Sequence, residues 1–186
     1  MNIPAYYTAD DLKLVFSALA FSAHAHRNQR RKNADATPYI NHPIEVANHL
    51  LQNGETDPVL IAAALLHDTV EDCGVKQHEL AARFGELVAD TVMEVTDNKA
   101  LSKTRRKRLQ ITQSRYKSER ARKIKLSDKT CNLRDVLASP PKDWSLERRL
   151  RYVAHAHAVV STIRHTSPVL AAEFDRIYAN KAALTL

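Results

Sequence analysis

The chain has 186 residues and a formal net charge of +7, and 44% of its residues are hydrophobic. This length and composition predict one domain with a true apolar core, extending over residues 1–186. They exclude a membrane-spanning protein, since no apolar run approaches the roughly 20 residues that cross a bilayer. They also exclude a glycine-rich phosphate loop, since only three glycines are present.

Apolar residues recur at helical spacing, and no segment shows the sustained period-two alternation of a strand. Capping side chains and prolines mark the expected helix starts, for example at Thr8, Asp57 and Ser145. We therefore predict an all-α protein of about eight to ten helices. In chain order the predicted helices cover 9–28, about 43–53, 58–72, 76–84, 86–96, 104–118, 119–138, about 146–165 and about 168–180.

The stretch from Pro58 to Asp72 contains most of the candidate chemistry. It begins as a helix that is apolar all round, which suits enclosure by other helices. If that helix continues to residue 72, His67 and Glu71 lie one turn apart on one face, and so do Asp68 and Asp72. Burying three carboxylates and an imidazole is costly without compensation, and a divalent cation is the simplest compensation. The alternative is a packed core histidine beside an acidic surface end.

Two other segments carry polar residues that fit the same site. Asp128, Asn132 and Asp135 recur at i, i+4 and i+7 of the predicted helix 119–138, so they share one stripe. Plain solvent exposure is the alternative for that stripe. His42 precedes another predicted helix, where its ring can turn inward, although capping or packing also explains a histidine there.

Two composition features concern partners and location. Between Lys103 and Lys125, the chain has eleven Lys or Arg residues and one acid, Glu119. This concentration of positive charge predicts an anionic partner, either a phosphate-rich small molecule or a nucleic acid, and a solvated helix face is the alternative. The first residues lack the pattern of a secretory signal, and Cys73 and Cys131 form no C-x-x-C pair, so we expect reduced thiols in the cytoplasm.

Together, His42, His67-Asp68 and Asp128 form the pattern H…HD…D, and the words around them are distinctive. Those words are Arg30-Arg-Lys32, Thr37-Pro-Tyr-Ile-Asn-His-Pro43, Ala64-Leu-Leu-His-Asp-Thr-Val-Glu-Asp72, Glu94-Val-Thr-Asp97 and Lys125-Leu-Ser-Asp-Lys-Thr-Cys-Asn-Leu-Arg-Asp135. Over about residues 8–178 the chain resembles the hydrolase domain of RelA/SpoT proteins, within the HD superfamily of metal-dependent phosphohydrolases. It is similar above all to the small stand-alone alarmone hydrolases, which include the metazoan SpoT homologue.

The resemblance implies an all-α HD-domain fold and a guanosine 3′,5′-bis(diphosphate) (ppGpp) 3′-pyrophosphohydrolase. Such an enzyme clears the alarmone of the stringent response by releasing pyrophosphate and GDP, or GTP from the pentaphosphate pppGpp. The family usually uses Mn²⁺, which implies one divalent metal per chain. Larger members carry a synthetase domain after the hydrolase; we expect none here, so that this chain only degrades the alarmone.

Position by position, the resemblance assigns three sets of residues. The metal ligands are His42, His67, Asp68 and Asp128. The acidic pair that acts on the water is Glu71 and Asp72, which the sequence does not rank. The contacts to nucleotide and phosphates are Arg31, Lys32, Tyr39, Lys103, Asn132, Arg148 and Tyr152. Cys131 stands where relatives often carry a bulkier side chain, which concerns the shape of the pocket.

The same residues also bear on the choice of metal and on two rival functions. Two imidazoles with two carboxylates favour Mn²⁺ or Fe²⁺ over Mg²⁺, although Zn²⁺ would bind as well. One rival is a phosphatase that acts on another 2′- or 3′-phosphorylated nucleotide, such as NADPH. The other is a basic RNA-binding module formed by the positive run, which lacks the interleaved aromatics that base stacking needs. We expect neither a membrane nor a specific nucleic acid as partner.

Overall fold

The computed structural model describes residues 7–33 and 35–185, which form ten α-helices. The first residues, which lack the pattern of a secretory signal, lie partly outside these ranges, because residues 1–6 are not described. The all-α prediction is confirmed: within the described ranges the only β-type pairing is one antiparallel bridge, between Arg30 and Pro38. The helices are α1 (Ala9–Ala25), α2 (Asn41–Gln52), α3 (Pro58–Leu66), α4 (Thr69–Cys73), α5 (Gln77–Phe84), α6 (Glu86–Val95), α7 (Lys103–Gln113), α8 (Glu119–Ala138), α9 (Leu146–Ile163) and α10 (Pro168–Tyr178). None of the described helices is long and apolar enough to cross a membrane.

Side-chain caps begin several of these helices, because the first N–H groups of a helix have no partner inside it. Thr8 and Asp11 form a complete capping box at the start of α1. The Asp57 carboxylate accepts from the Val59 N–H ahead of α3, and Pro58 fills the first helical position. Ser145 caps α9 in the same way. These predicted helix starts are confirmed.

Two helices form the centre of the fold. Helix α3 packs against α1, α2 and α6, and seven consecutive residues, Leu60–Leu66, are buried. Helix α8 packs against α2, α6, α9 and α10. Since the candidate ligands lie at the end of α3 and in the middle of α8, the best-packed part of the molecule holds them in place.

The prediction of one continuous helix over 58–72 is wrong at its middle. The chain leaves the helix at His67 and Asp68, and α4 begins at Thr69. Side chains take the carbonyls at the end of α3: His67 Nδ1 lies 2.8 Å from the Ala64 oxygen, and the Thr69 hydroxyl donates to the Leu66 oxygen at 2.7 Å. His67 and Glu71 are therefore carried by different segments rather than by one helical face.

Smaller differences occur at three other helix ends. Helix α1 ends at Ala25 instead of residue 28, and α2 begins at Asn41, two residues before Pro43. The basic helix α7 ends at Gln113 and is followed by a 3₁₀ turn, Ser114–Tyr116. Similar 3₁₀ turns follow α9 and α10, at Arg164–Thr166 and Ala179–Thr185. The earlier starts place two candidate site residues inside helices: His42 lies in α2 instead of before it, and Lys103 is the first residue of α7.

The substitution Leu133→Ala tests the central position of α8. The Leu133 side chain is fully buried in the core, so we expect its truncation to lower the free energy of unfolding by about 2–5 kcal/mol. Denaturant unfolding of both proteins measures the difference. As a control, Leu87→Ala should change it by no more than about 0.5 kcal/mol, because Leu87 is 52% exposed. Equal effects of the two substitutions would contradict this packing.

Candidate metal centre and catalytic cavity

The four predicted metal ligands come together from three parts of the fold. His42 lies in the first turn of α2, His67 and Asp68 form the turn between α3 and α4, and Asp128 lies in the middle of α8. His42 Nε2 is 3.2 Å from Asp128 Oδ1 and 3.9 Å from Asp68 Oδ2. His67 Nε2 is 3.1 Å from Asp68 Oδ2 and 3.9 Å from Asp128 Oδ1. Each ring nitrogen thus lies close to one oxygen of Asp68 and one oxygen of Asp128.

The donor chemistry of this group fits a divalent cation. His67 Nδ1 is engaged with the Ala64 carbonyl, which leaves Nε2 facing the carboxylates. His67 Nε2 is buried and makes no hydrogen bond with any described residue. The ligand atoms of His42, His67 and Asp128 all lie within 4.8 Å of one another. A mixed set of two nitrogens and two oxygens suits a first-row transition metal better than an all-oxygen set would.

Charges at this centre are strongly coupled. Burial alone would lower the pKa of His67, but the charges of Asp68 and Asp128 outweigh it and raise that pKa to about 9. Burial would raise the pKa values of both carboxyls, yet the neighbouring cationic groups hold the pKa of Asp68 and that of Asp128 below their usual value. Both carboxylates therefore stay ionised, which is the state that binds a metal.

Other side chains hold the two carboxylates in position. The Tyr39 hydroxyl donates to Asp68 Oδ2 at 2.6 Å. Lys129 Nζ donates to Asp128 Oδ2 at 3.0 Å, and the Asn132 amide donates to Asp128 Oδ1. Because Lys129 takes Oδ2, the other oxygen of Asp128 is the one that points at the histidines. Such supporting hydrogen bonds orient ligands and raise metal affinity.

The predicted acid pair, Glu71 and Asp72, lies on the short helix α4 beside these ligands, and the two side chains differ in their contacts. Both oxygens of Asp72 are engaged, Oδ1 by Lys99 Nζ and Oδ2 by the Gln29 amide, each at 3.0 Å. Glu71 Oε2 accepts only the Asp97 N–H, at 3.1 Å. Burial, opposed by that hydrogen bond, raises the pKa of Glu71. Glu71 is the better placed base, since a raised pKa strengthens it as a proton acceptor.

The four predicted metal ligands and the acid pair of Glu71 and Asp72 line a polar cavity of about 190 Å³, which we call the metal cavity. A neighbouring cavity of about 350 Å³, the front cavity, opens beside it and includes the ring of Trp144. Tyr39, Asp72 and Asn132 line both cavities, so a ligand can occupy the two together. A larger cavity of about 770 Å³ near Phe21 and Phe84 has none of the four candidate ligands in its lining.

Five of the seven predicted substrate contacts line the front cavity: Arg31, Lys32, Tyr39, Asn132 and Tyr152. Arg31 pairs with Asp135 and donates to the Asn132 oxygen at 3.2 Å. The other two lie outside the lining of both cavities. Lys103 is exposed at the first residue of α7, and the Arg148 guanidinium stacks on Trp144, 4.5 Å from the ring centre.

Sequence reasoning missed four polar residues of the metal cavity: Asp97, Gln110, Lys125 and Lys129. Lys125 and Lys129 are nearly buried, and each lies on α8 close to Asp128. Their spacing of four residues, three before and one after Asp128, was the available signal. This signal is weak, because lysines are almost never fully buried unless they are paired.

The basic run between residues 103 and 125 does not form one free surface. Arg120 pairs with Asp57 at 2.5 Å, and Lys123 lies 2.8 Å from Glu55. Lys125 points inward to the Val95 carbonyl. These cations attach α8 to the start of α3 and to the cavity wall, which leaves a discontinuous basic surface for a nucleic acid.

Comparison with known proteins gives one family. The HD domain family matches residues 18–156 of the chain. The guanosine-3′,5′-bis(diphosphate) 3′-pyrophosphohydrolase MESH1 of Xenopus tropicalis is 41% identical over 93% of this chain and 97% of that protein. Its counterpart in Homo sapiens is 43% identical over 90% of this chain and 94% of that protein. A solved structure, described as a metazoan orthologue of SpoT that hydrolyses ppGpp and plays a role in starvation responses, matches with a TM-score of 0.89 at 40% identity, covering 96% of this chain and 99% of that one.

Proposed function

The chain belongs to the HD domain family and, within it, to the RelA/SpoT-type hydrolases, and from this membership we propose that it is a guanosine 3′,5′-bis(diphosphate) 3′-pyrophosphohydrolase. It converts ppGpp to GDP and pyrophosphate, and pppGpp to GTP and pyrophosphate. The observation that carries the proposal is the meeting of His42, His67, Asp68 and Asp128 beside Glu71 in a polar cavity. Relatives more than 40% identical over nearly their whole length are named for this reaction.

In the proposed site, His42, His67, Asp68 and Asp128 hold one divalent metal, which we propose is Mn²⁺. When bound, it lowers the pKa of a coordinated water and polarises a phosphoryl oxygen. Glu71 accepts the proton of the attacking water. The new bond forms between the water oxygen and the phosphorus nearest the ribose, and the bond from that phosphorus to the ribose 3′ oxygen breaks. The 3′ oxygen takes a proton from solvent and becomes the 3′-hydroxyl of the product. Asp72, held by Lys99 and Gln29, keeps α4 in place against the metal cavity.

The front cavity receives the rest of the nucleotide in this proposal. Trp144 and Tyr152 offer aromatic surface to the nucleoside, and their ring centres lie 5.4 Å apart. Arg31 and Lys32 are placed to neutralise the 5′ phosphates, since guanidinium groups bind phosphate oxygens in pairs. Exposed Lys103 and Arg148 are proposed contacts at the mouth, supported by their positive charge alone.

We also propose that residues 1–186 act as a single hydrolase domain, and that the protein works in the cytoplasm. A reducing compartment suits the two cysteines. Cys73 and Cys131 are both free thiols, and Cys131 is buried in the core. Burial raises the pKa of Cys131 to about 12, so its thiol stays protonated and unreactive at neutral pH.

Release of pyrophosphate from purified protein tests the reaction and the metal requirement together. We expect rapid release from guanosine 3′,5′-bis(diphosphate) with Mn²⁺ and loss of that release, by about a hundredfold or more, with a chelator. Restoring Mn²⁺ should restore the rate. If pyrophosphate were not released but NADPH lost phosphate under the same conditions, the metal site would stand and the substrate would be wrong. Metal-independent binding to arbitrary RNA with steep salt dependence would favour the binding module instead.

A further inference from the structure

A third cavity, of about 140 Å³, lies behind the metal cavity between α7 and the segment that follows α6. We call it the rear cavity. Asp97, Gln110 and Lys125 line both the rear cavity and the metal cavity, so the two share a wall. Neither the sequence motifs nor the proposed reaction has so far used this space.

The rear cavity has more positive than negative side chains. Arg106, Lys117 and Lys125 line it, and Asp97 is the single acid in the lining. Asp97 Oδ2 already accepts from the Gln110 amide at 2.6 Å. Buried charge is costly unless it is paired, and three cations with one acid leave this lining with an excess of positive charge.

The hydrogen-bonding groups of these cations are also incompletely used. The Nε–H of Arg106 is buried and has no hydrogen-bond partner among the described residues. The acid nearest to Arg106 is Glu71, 4.0 Å away. Lys125 is only 6% exposed, and its ammonium group, which has three N–H donors, lies 3.2 Å from the Val95 carbonyl. Burial lowers the pKa of Lys125 to about 8, although the charges of Asp128 and Asp97 oppose it. Burial also lowers the pKa of Lys117 against the charges of Glu94 and Asp97.

We propose that the rear cavity binds the distal phosphoryl group of the substrate's 3′-diphosphate, and thereby makes the enzyme prefer a 3′-diphosphate to a 3′-monophosphate. The inference rests on the proposed function. A phosphoryl group supplies the missing negative charge and enough oxygens to engage Arg106, Lys117 and Lys125. The reacting phosphorus then lies in the metal cavity, where that cavity adjoins the rear cavity at Asp97, Gln110 and Lys125, and the nucleoside lies in the front cavity.

The matched pair Arg106→Gln and Arg105→Gln tests this assignment. Both residues lie on α7 and both substitutions remove one positive charge, but Arg105 is exposed and does not line the rear cavity. The rate constant kcat/KM is measured for guanosine 3′,5′-bis(diphosphate) and for guanosine 5′-diphosphate 3′-monophosphate. We expect Arg106→Gln to reduce the preference for the diphosphate by about tenfold to a hundredfold, the effect of losing one hydrogen bond to a charged group. Arg105→Gln should keep the wild-type preference.

A titration without turnover separates this inference from the proposed reaction. Inorganic pyrophosphate is titrated calorimetrically into manganese-loaded protein, and we expect Arg106→Gln to bind it about tenfold more weakly than Arg105→Gln. Equal affinities and an unchanged substrate preference would overturn the rear-cavity assignment. If wild-type protein released no pyrophosphate from the guanosine substrate, the proposed function would fail and the titration alone would decide. Thermal unfolding checks folding, and Lys117→Met replaces Arg106→Gln under the same criteria if that variant is unfolded.

Discussion

Replacing His67 with alanine should abolish metal binding and reduce pyrophosphate release by about a thousandfold or more. His67 provides one of the two ring nitrogens of the centre, and its Nε2 has no described hydrogen-bond partner to replace a metal. Metal stabilisation of developing charge contributes several kcal/mol, and each 1.4 kcal/mol or so corresponds to about tenfold in rate. Metal content after dialysis and kcat with added Mn²⁺ measure the two effects. Asp68→Ala should behave in the same way.

The control for that experiment is a histidine outside the centre. His78 lies exposed on α5, and His78→Ala should retain metal and full activity. Thermal unfolding of both variants shows whether a loss of activity follows from a loss of structure. Full turnover by His67→Ala in the presence of Mn²⁺ would contradict its assignment as a ligand.

The second large effect is expected for Glu71→Gln, which should bind substrate normally but lower kcat by about a hundredfold to ten-thousandfold. Glutamine keeps the shape of the side chain and its contact with the Asp97 N–H, but it cannot accept a proton from water. Single-turnover kinetics measure the chemical step, and a nucleotide titration measures binding. Asp72→Asn should cost less, because Asp72 is engaged by Lys99 and Gln29. The reverse order would assign the base to Asp72.

The acid side of the pH–rate profile provides a second measurement on Glu71. A base must be ionised to act, so kcat should rise as the pH rises through the pKa of Glu71. Since burial raises that pKa, the rise should occur at higher pH than for an ordinary glutamate, whose pKa is about 4.3. Glu71→Gln should remove this limb. A profile with an unchanged acid limb in the variant would show that another group titrates there.

Much of the fold follows from local rules of the sequence. Helix α8 spans the predicted residues 119–138, because Ser118 caps its start and Pro140-Pro141 prevents its continuation. The break at His67 was not predictable in this way, since no proline or glycine marks it in the sequence between Leu66 and Thr69. It depends on side chains that bind the carbonyls of the previous turn, and only the folded chain shows that choice.

Part of the candidate site could also be predicted from the sequence, and part of it could not. The sequence alone could group His42, His67, Asp68 and Asp128, because the motif H…HD…D contains all four residues. The rear cavity could not, because Arg106, Lys117 and Lys125 come from three different segments, and their relation depends on tertiary packing. A basic run in a sequence indicates an exposed surface, and only the structure shows which of its side chains point into the protein.

The break between α3 and α4 separates two properties of the enzyme. The proposed ligands His67 and Asp68 follow the end of a buried helix, whereas Glu71 lies on a five-residue helix that stops at Gly74, where φ is 74°. Glu71 is therefore held by a different helix from the one whose buried residues fix His67. Affinity for the metal and speed of the chemical step can therefore change independently during evolution. Substitutions around α4 are the place to engineer a slow enzyme that still binds its metal.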